Sequence, residues 1–159
     1  MIDGLLFDKD GTLFDFRLSW GGWAAGFLTS VARDDAHAER MARAIGYDLA
    51  ARDFAPDSPV IAGTAAQIAT TLLPELPGFT LDDLTDLIND TAGTAPMAEA
   101  VPLRPLLTGL RDRGMRLGVA TNDSEAPARR HLQAHGITGL FDYIVGYDSG
   151  HGAKPGPGM

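Results

Sequence analysis

The chain of 159 residues carries 13 Lys and Arg against 21 Asp and Glu, a formal net charge of −8, with 45% hydrophobic residues and no cysteine. This composition excludes bulk disorder, disulfides, Cys-based zinc sites and thiol nucleophiles, and the acidic balance argues against nucleic acid and membrane surfaces as partners. Met1 to Asp10 lack the basic and apolar regions of a signal peptide, and no apolar run approaches the ~18 residues of a membrane span, so the expected compartment is the cytoplasm.

The opening segment, with Ile2, Leu5, Leu6 and Phe7 in a short apolar run, is expected to be a strand buried on both faces of a parallel sheet, ending at Asp8-Lys9-Asp10-Gly11-Thr12. Trp20, Trp23, Phe27, Leu28 and Val31 then form one apolar stripe, which predicts a helix over 19–33. Further helices are expected over 36–45, 60–73 and 81–91, the last with Thr80 as N-cap, and no strand among them. Pro96, Pro102 and Pro105 mark connections.

From Leu103 the pattern alternates. Leu106, Leu107 and Leu110 make a helical face closed by Gly114, 115–121 reads as a buried strand, 125–135 as a helix and 143–146 as a strand. Such alternation predicts an α/β fold with parallel strands joined by helical crossovers, with the first strand in the same sheet. The expected organisation is a Rossmann-like core of residues 1–15 and 101–159, with 16–100 inserted as an all-α cap.

Period-two geometry directs Asp8 and Asp10 to one side of the strand's carboxyl end and Lys9 to the other. Ligands bind at that end of open parallel sheets. Two carboxylates so close repel, and either a divalent cation or a retained proton relieves the repulsion; Mg²⁺ is the default for hard oxygen ligands. An ionised Asp can attack phosphorus, while a protonated neighbour donates to the leaving oxygen. Asp-x-Asp-Gly is also ordinary turn chemistry, but here it follows a strand, and Thr121-Asn122 and Lys154 follow later ones. A hydroxyl, an amide and an ammonium suit a phosphoryl dianion.

Asp8-Lys9-Asp10-Gly11-Thr12-Leu13-Phe14-Asp15 resembles the first motif of the haloacid dehalogenase superfamily, in its phosphoglycolate-phosphatase-like branch. The segment 115–122, ending in Thr121-Asn122, is similar to the second motif, and Gly152-Ala153-Lys154-Pro155-Gly156-Pro157 to the third. The resemblance implies a Mg²⁺-dependent phosphatase acting on a small phosphomonoester, phosphoglycolate-like, through an aspartyl-phosphate. Asp8 would be nucleophile and metal ligand, and Asp10 acid/base and metal ligand through its backbone carbonyl. Thr121 and the Asn122 backbone would bind the phosphoryl group, and Lys154 would neutralise charge. The acid at position 10 separates phosphoryl transfer from the superfamily's dehalogenases. A phosphomutase is the alternative activity.

The family's fourth motif, an acidic pair after a further strand beside the first, has no counterpart before Met159. The core is therefore expected to be incomplete at its C-terminus, with weak Mg²⁺ binding, poor turnover, and self-association through the unpaired edge or a strand supplied from elsewhere. A catalytically impaired chain acting as a binding module is the competing class. Among other candidates, His131 and His135 have metal-ligand spacing but are expected on an exposed helix face, and His151 in an ordinary loop. Trp20, Trp23 and Phe27 are expected in the cap core, and Arg17 at the surface.

Overall fold

The computed structural model describes residues 2–159. Strand β1 (Gly4–Phe7) is followed by α1 (Phe16–Val31), α2 (Asp35–Ala44), two short strands β2 (Tyr47–Asp48) and β3 (Asp53–Phe54), α3 (Ala65–Leu72) and α4 (Leu81–Ala92). Then come α5 (Leu103–Asp112), β4 (Arg116–Ala120), α6 (Glu125–Ala134) and β5 (Tyr143–Val145). β4 is central in a parallel sheet of order β1-β4-β5, with Gly4 opposite Arg116 and Gly118 opposite Tyr143. The fold is α/β, as the alternation predicts.

Local chemistry sets the helix starts. Asp15 accepts from the Leu18 amide at 2.9 Å, which begins α1 at Phe16, earlier than the apolar stripe suggests. Thr64 and Gln67 form a reciprocal capping box, so α3 starts at Ala65 and residues 60–63 remain a turn. Thr80 caps α4 as expected, accepting from Asp83 at 3.1 Å. Pro105 lies inside the first turn of α5 instead of in a connection, where its missing N–H is one that the helix would leave unpaired anyway.

Two expectations need correction. The stretch between α2 and α3 contains a strand pair, with Tyr47 opposite Phe54 and their rings 4.8 Å apart. Each strand is two residues long, too short for a period-two signal. Gly21 lets this hairpin approach α1: a Cβ there would lie 2.5 Å from the Arg52 carbonyl oxygen. Second, β1 is not buried on both faces. It is an edge strand among the described residues, and Leu6 is 58% exposed because nothing covers that face.

The hydrophobic core is continuous from Leu117, Val119 and Leu132 around the sheet to Leu28, Met41, Leu72 and Leu84 among the first four helices. No helix of the described residues is long and apolar enough to cross a membrane.

Candidate active site

The turn after β1 aims the first acidic residues. Leu13 and Phe14 amides both donate to the Lys9 carbonyl, at 2.9 and 3.0 Å, and Gly11 adopts a positive φ of 78° that lets the chain reverse. At the end of β4, the Thr121 amide reaches the Val145 carbonyl at 3.1 Å, extending the sheet by one bond and fixing the start of the loop through Asp123. Asp8, Asp10, Thr121, Asn122 and Lys154 all line one cleft of about 910 Å³.

Asp8 is half-exposed. Its Oδ1 accepts from Lys154 Nζ at 2.6 Å and from the Lys9 amide at 2.8 Å. Neither donor uses Oδ2. Lys154 Nζ also donates to the Ala120 carbonyl at 3.1 Å, so it bridges β4 and the turn after β1. Its own backbone is clasped by the Asn122 side chain, which accepts from Lys154 N at 2.8 Å and donates to Lys154 O at 3.0 Å. The same amide donates to the Ala62 carbonyl at 2.8 Å. Thr121 is buried, and its Oγ1 accepts from the Asp123 amide at 3.1 Å.

Asp10 is held from below. Lys9 Nζ at 2.7 Å and Trp20 Nε1 at 2.8 Å both donate to its Oδ1. Lys9 is fully buried and does not point to the opposite face. Period-two alternation stops at Phe7, where β1 ends, so the turn is free to fold the ammonium back toward the site. There it also lies 3.0 Å from Asp123 Oδ2 and 3.3 Å from His131 Nδ1, with the Trp20 ring 5.3 Å away. Burial pulls the Lys9 pKa down, but Asp10 and Asp123 together outweigh it, and the net shift is upward.

Burial pushes the Asp123 carboxyl up to about 6, with the Asp10 charge adding to the rise and Lys9 opposing it. Burial, seconded by the Lys9 charge, pushes His131 down to about 4. The ring is therefore neutral at pH 7. Its Nε2 faces the Ala92 carbonyl at 2.8 Å, so the proton sits there and Nδ1 accepts from Lys9.

His131 thus corrects the expectation of an exposed helix face: it is buried under the site, whereas His135 pairs with Glu99 at 2.9 Å. The two histidines share no ligand position. Trp20 is both core and site, since its ring is buried and its N–H reaches Asp10. Arg17 is an exposed arginine ion-paired with Asp53, and His151 contacts the Tyr143 hydroxyl at 3.0 Å and does not line the cleft. Lys9, Trp20, Asp123 and His131 are the site's supports that sequence reasoning missed.

Among the described residues, no group of three or more His, Asp or Glu is placed to hold a metal ion. Mg²⁺ keeps several waters and takes one or two carboxylates. The half-exposed Asp8 carboxylate, whose Oδ2 takes no hydrogen bond, fits that donor set.

No curated protein sequence matches the chain. Solved structures do. A predicted phosphoglycolate phosphatase of Haemophilus somnus 129pt aligns with 97% of this chain and 66% of its own, at 18% identity and a TM-score of 0.65. CbbY of Rhodobacter sphaeroides, solved with phosphate, aligns over 96% and 67%, at 15% identity and 0.64. The L-2-haloacid dehalogenase of Xanthobacter autotrophicus, solved with chloropropionic acid covalently bound, aligns over 98% and 60%, at 17% identity and 0.53. The chain thus spans about two thirds of the length of these structures, and likeness at this identity speaks for the fold. The family model of haloacid dehalogenase-like hydrolases matches residues 2–159, and the chain belongs to that family.

Proposed function

We propose that this hydrolase is a phosphatase that cleaves a small phosphomonoester through an aspartyl-phosphate on Asp8, with residues 16–100 acting as the cap over the cleft. One observation carries the reading: Lys154, 146 positions along the chain, reaches Asp8 Oδ1 at 2.6 Å in the cleft that Asp10 and Thr121 also line. A lysine so placed can neutralise both the carboxylate and an arriving dianion.

In this mechanism, an Asp8 carboxylate oxygen attacks phosphorus and the P–O bond to the leaving group breaks. Asp10, a carboxylate paired with Lys9 in the free protein, takes a proton from solvent as the phosphoryl dianion binds beside it and gives that proton to the departing alkoxide. Lys9 and Trp20 both occupy Oδ1, so Oδ2 is the oxygen that holds the proton. Asp10, now a carboxylate, takes a proton from water as that water attacks the phosphoaspartate, and Asp8 and inorganic phosphate are released. The Thr121 hydroxyl and the Asn122 backbone N–H bind the phosphoryl oxygens. Mg²⁺, held by the Asp8 carboxylate and the Asp10 carbonyl, would supply charge neutralisation at the phosphoryl group.

The test is phosphate release from a panel of phosphomonoesters with millimolar Mg²⁺, alongside Asp8→Asn. Loss of release in the variant, with wild-type thermal unfolding, is expected, as is a phosphoaspartate mapped to Asp8 after rapid acid quench. Equal release by Asp8→Asn would refute the assignment of Asp8, and no release by either protein from any ester would leave a binding module as the better account.

A further inference from the structure

Once the reacting groups are set aside, the cleft is apolar and neutral. Trp20 and Trp23 of α1, Val60 and Ile61 before α3, Ile68 of α3 and Ile88 of α4 line it. Among the described residues no arginine lines it, and its one lysine, Lys154, already pairs with Asp8. Polar wall residues are uncharged, and their hydroxyls and amide oxygens are engaged. Thr70 and Thr71 donate to their own helix backbone at 2.7 and 3.0 Å, Gln67 accepts from the Thr64 amide at 2.9 Å, and Asn89 accepts from Ser124 at 2.9 Å. Lys9 is buried beneath the cleft between Asp10 and Asp123, and Arg17 lines a smaller neighbouring cavity and is paired with Asp53.

The charges decide what fits. Asp8, Asp10 and Asp123 face Lys9 and Lys154, and a phosphoryl dianion beside Asp8 adds more negative charge. A second acid on the substrate would lie near carboxylates with no free cation in the lining to pair it, which is unfavourable. An apolar body meets prepared surface instead. The half-buried Trp23 ring is stacked on Phe27 at 5.3 Å, and Trp20 packs edge-on against it at 5.3 Å, so neither tryptophan must be ordered when a ligand arrives. The cleft volume, about 910 Å³, accommodates a body well beyond two carbons.

Building on the phosphatase reading, we propose that the substrate is a phosphomonoester with an uncharged aromatic or aliphatic leaving group, and that the cleft discriminates against a second acidic group such as the carboxylate of phosphoglycolate. Two matched compounds test it, para-carbamoylbenzyl and para-carboxybenzyl phosphonate, which are nearly isosteric and differ in one charge. With Mg²⁺ present, calorimetry should show the amide binding at least ~10-fold more tightly, as an unpaired charge in an apolar site requires. Thr70→Arg, on an exposed position of the cleft wall, should bring the ratio toward one. Equal or tighter binding of the carboxylate by the wild type overturns the proposal, as does failure to bind either phosphonate. Phosphate release from the corresponding esters reads the parent assignment separately: selective binding without release overturns the phosphatase reading and leaves the ligand class standing. Release that favours the carboxylate overturns the ligand class alone.

Discussion

Replacing Lys9 with Met keeps the unbranched stem that fills its buried slot and removes the ammonium between Asp10 and Asp123. The lysine side chain is 0% exposed, and its two carboxylate partners, at 2.7 and 3.0 Å, are 17% and 16% exposed, so solvent screens little of the loss. Removing one member of a buried ion pair costs about 3–5 kcal/mol, because the remaining charge is stranded. Here two carboxylates are stranded beside each other. For a chain of this size that corresponds to a fall in Tm of about 6–20 °C. Thermal and urea unfolding of Lys9→Met at neutral pH measure it, and Lys9→Met/Asp123→Asn should recover more than half of the loss by leaving one carboxylate in place of two. A fall under ~3 °C, or a double variant no better than the single, would refute the view that this ion cluster underpins the site.

Asp123 and His131 give opposite pH slopes. The folded pKa of Asp123 lies near 6 against 3.8 unfolded, so the folded state holds the proton more tightly and stability falls as pH rises from about 4 to 6. For His131 it lies near 4 against 6.5, so stability falls as pH drops through the same window. Urea unfolding of the wild type should therefore be nearly flat there, His131→Asn should lose stability with rising pH, and Asp123→Asn should gain it; parallel slopes in the two variants would contradict the assignment. Trp20→Phe removes the Asp10 hydrogen bond and keeps an aromatic ring, so kcat for the best ester should drop ~10-fold with little change in KM, as for loss of about 1.4 kcal/mol felt at the transition state; a change confined to KM would count against it. Asn122→Ala deletes three hydrogen bonds and should cost about 1–3 kcal/mol, with faster amide exchange at Lys154; unchanged protection there would show that the clasp is not what holds the lysine.

Elements with a strong local signal were legible without coordinates. The run from Leu5 to Phe7, the alternation after Leu103 and the Thr80 cap each follow from short-range rules, and the five polar residues singled out at strand ends do meet in one cleft. What stayed hidden depends on contacts across the chain. Lys9 looks like a turn lysine because its partner Asp123 is more than a hundred positions away, and His131 looks like a surface residue because the Ala92 carbonyl that it bonds belongs to another helix. The capping box of Thr64 and Gln67 starts α3 at Ala65, whereas the expected helix over 60–73 follows the apolar Val60 and Ile61 and takes no account of the box. Burial of β1 failed as an expectation because hydrophobicity reports what a strand can bury, not which neighbours cover it.

The bond from Trp20 to Asp10 joins a helix of the first half of the chain to the turn that carries the proposed proton donor. Asp10 thus has one brace from its own turn, Lys9, and one from a helix that is anchored in the core by Phe27 and Leu28. Its carboxyl keeps its direction only while that helix stays seated on the turn, so a core substitution under α1 that shifts the indole would blunt proton donation without touching a reacting group.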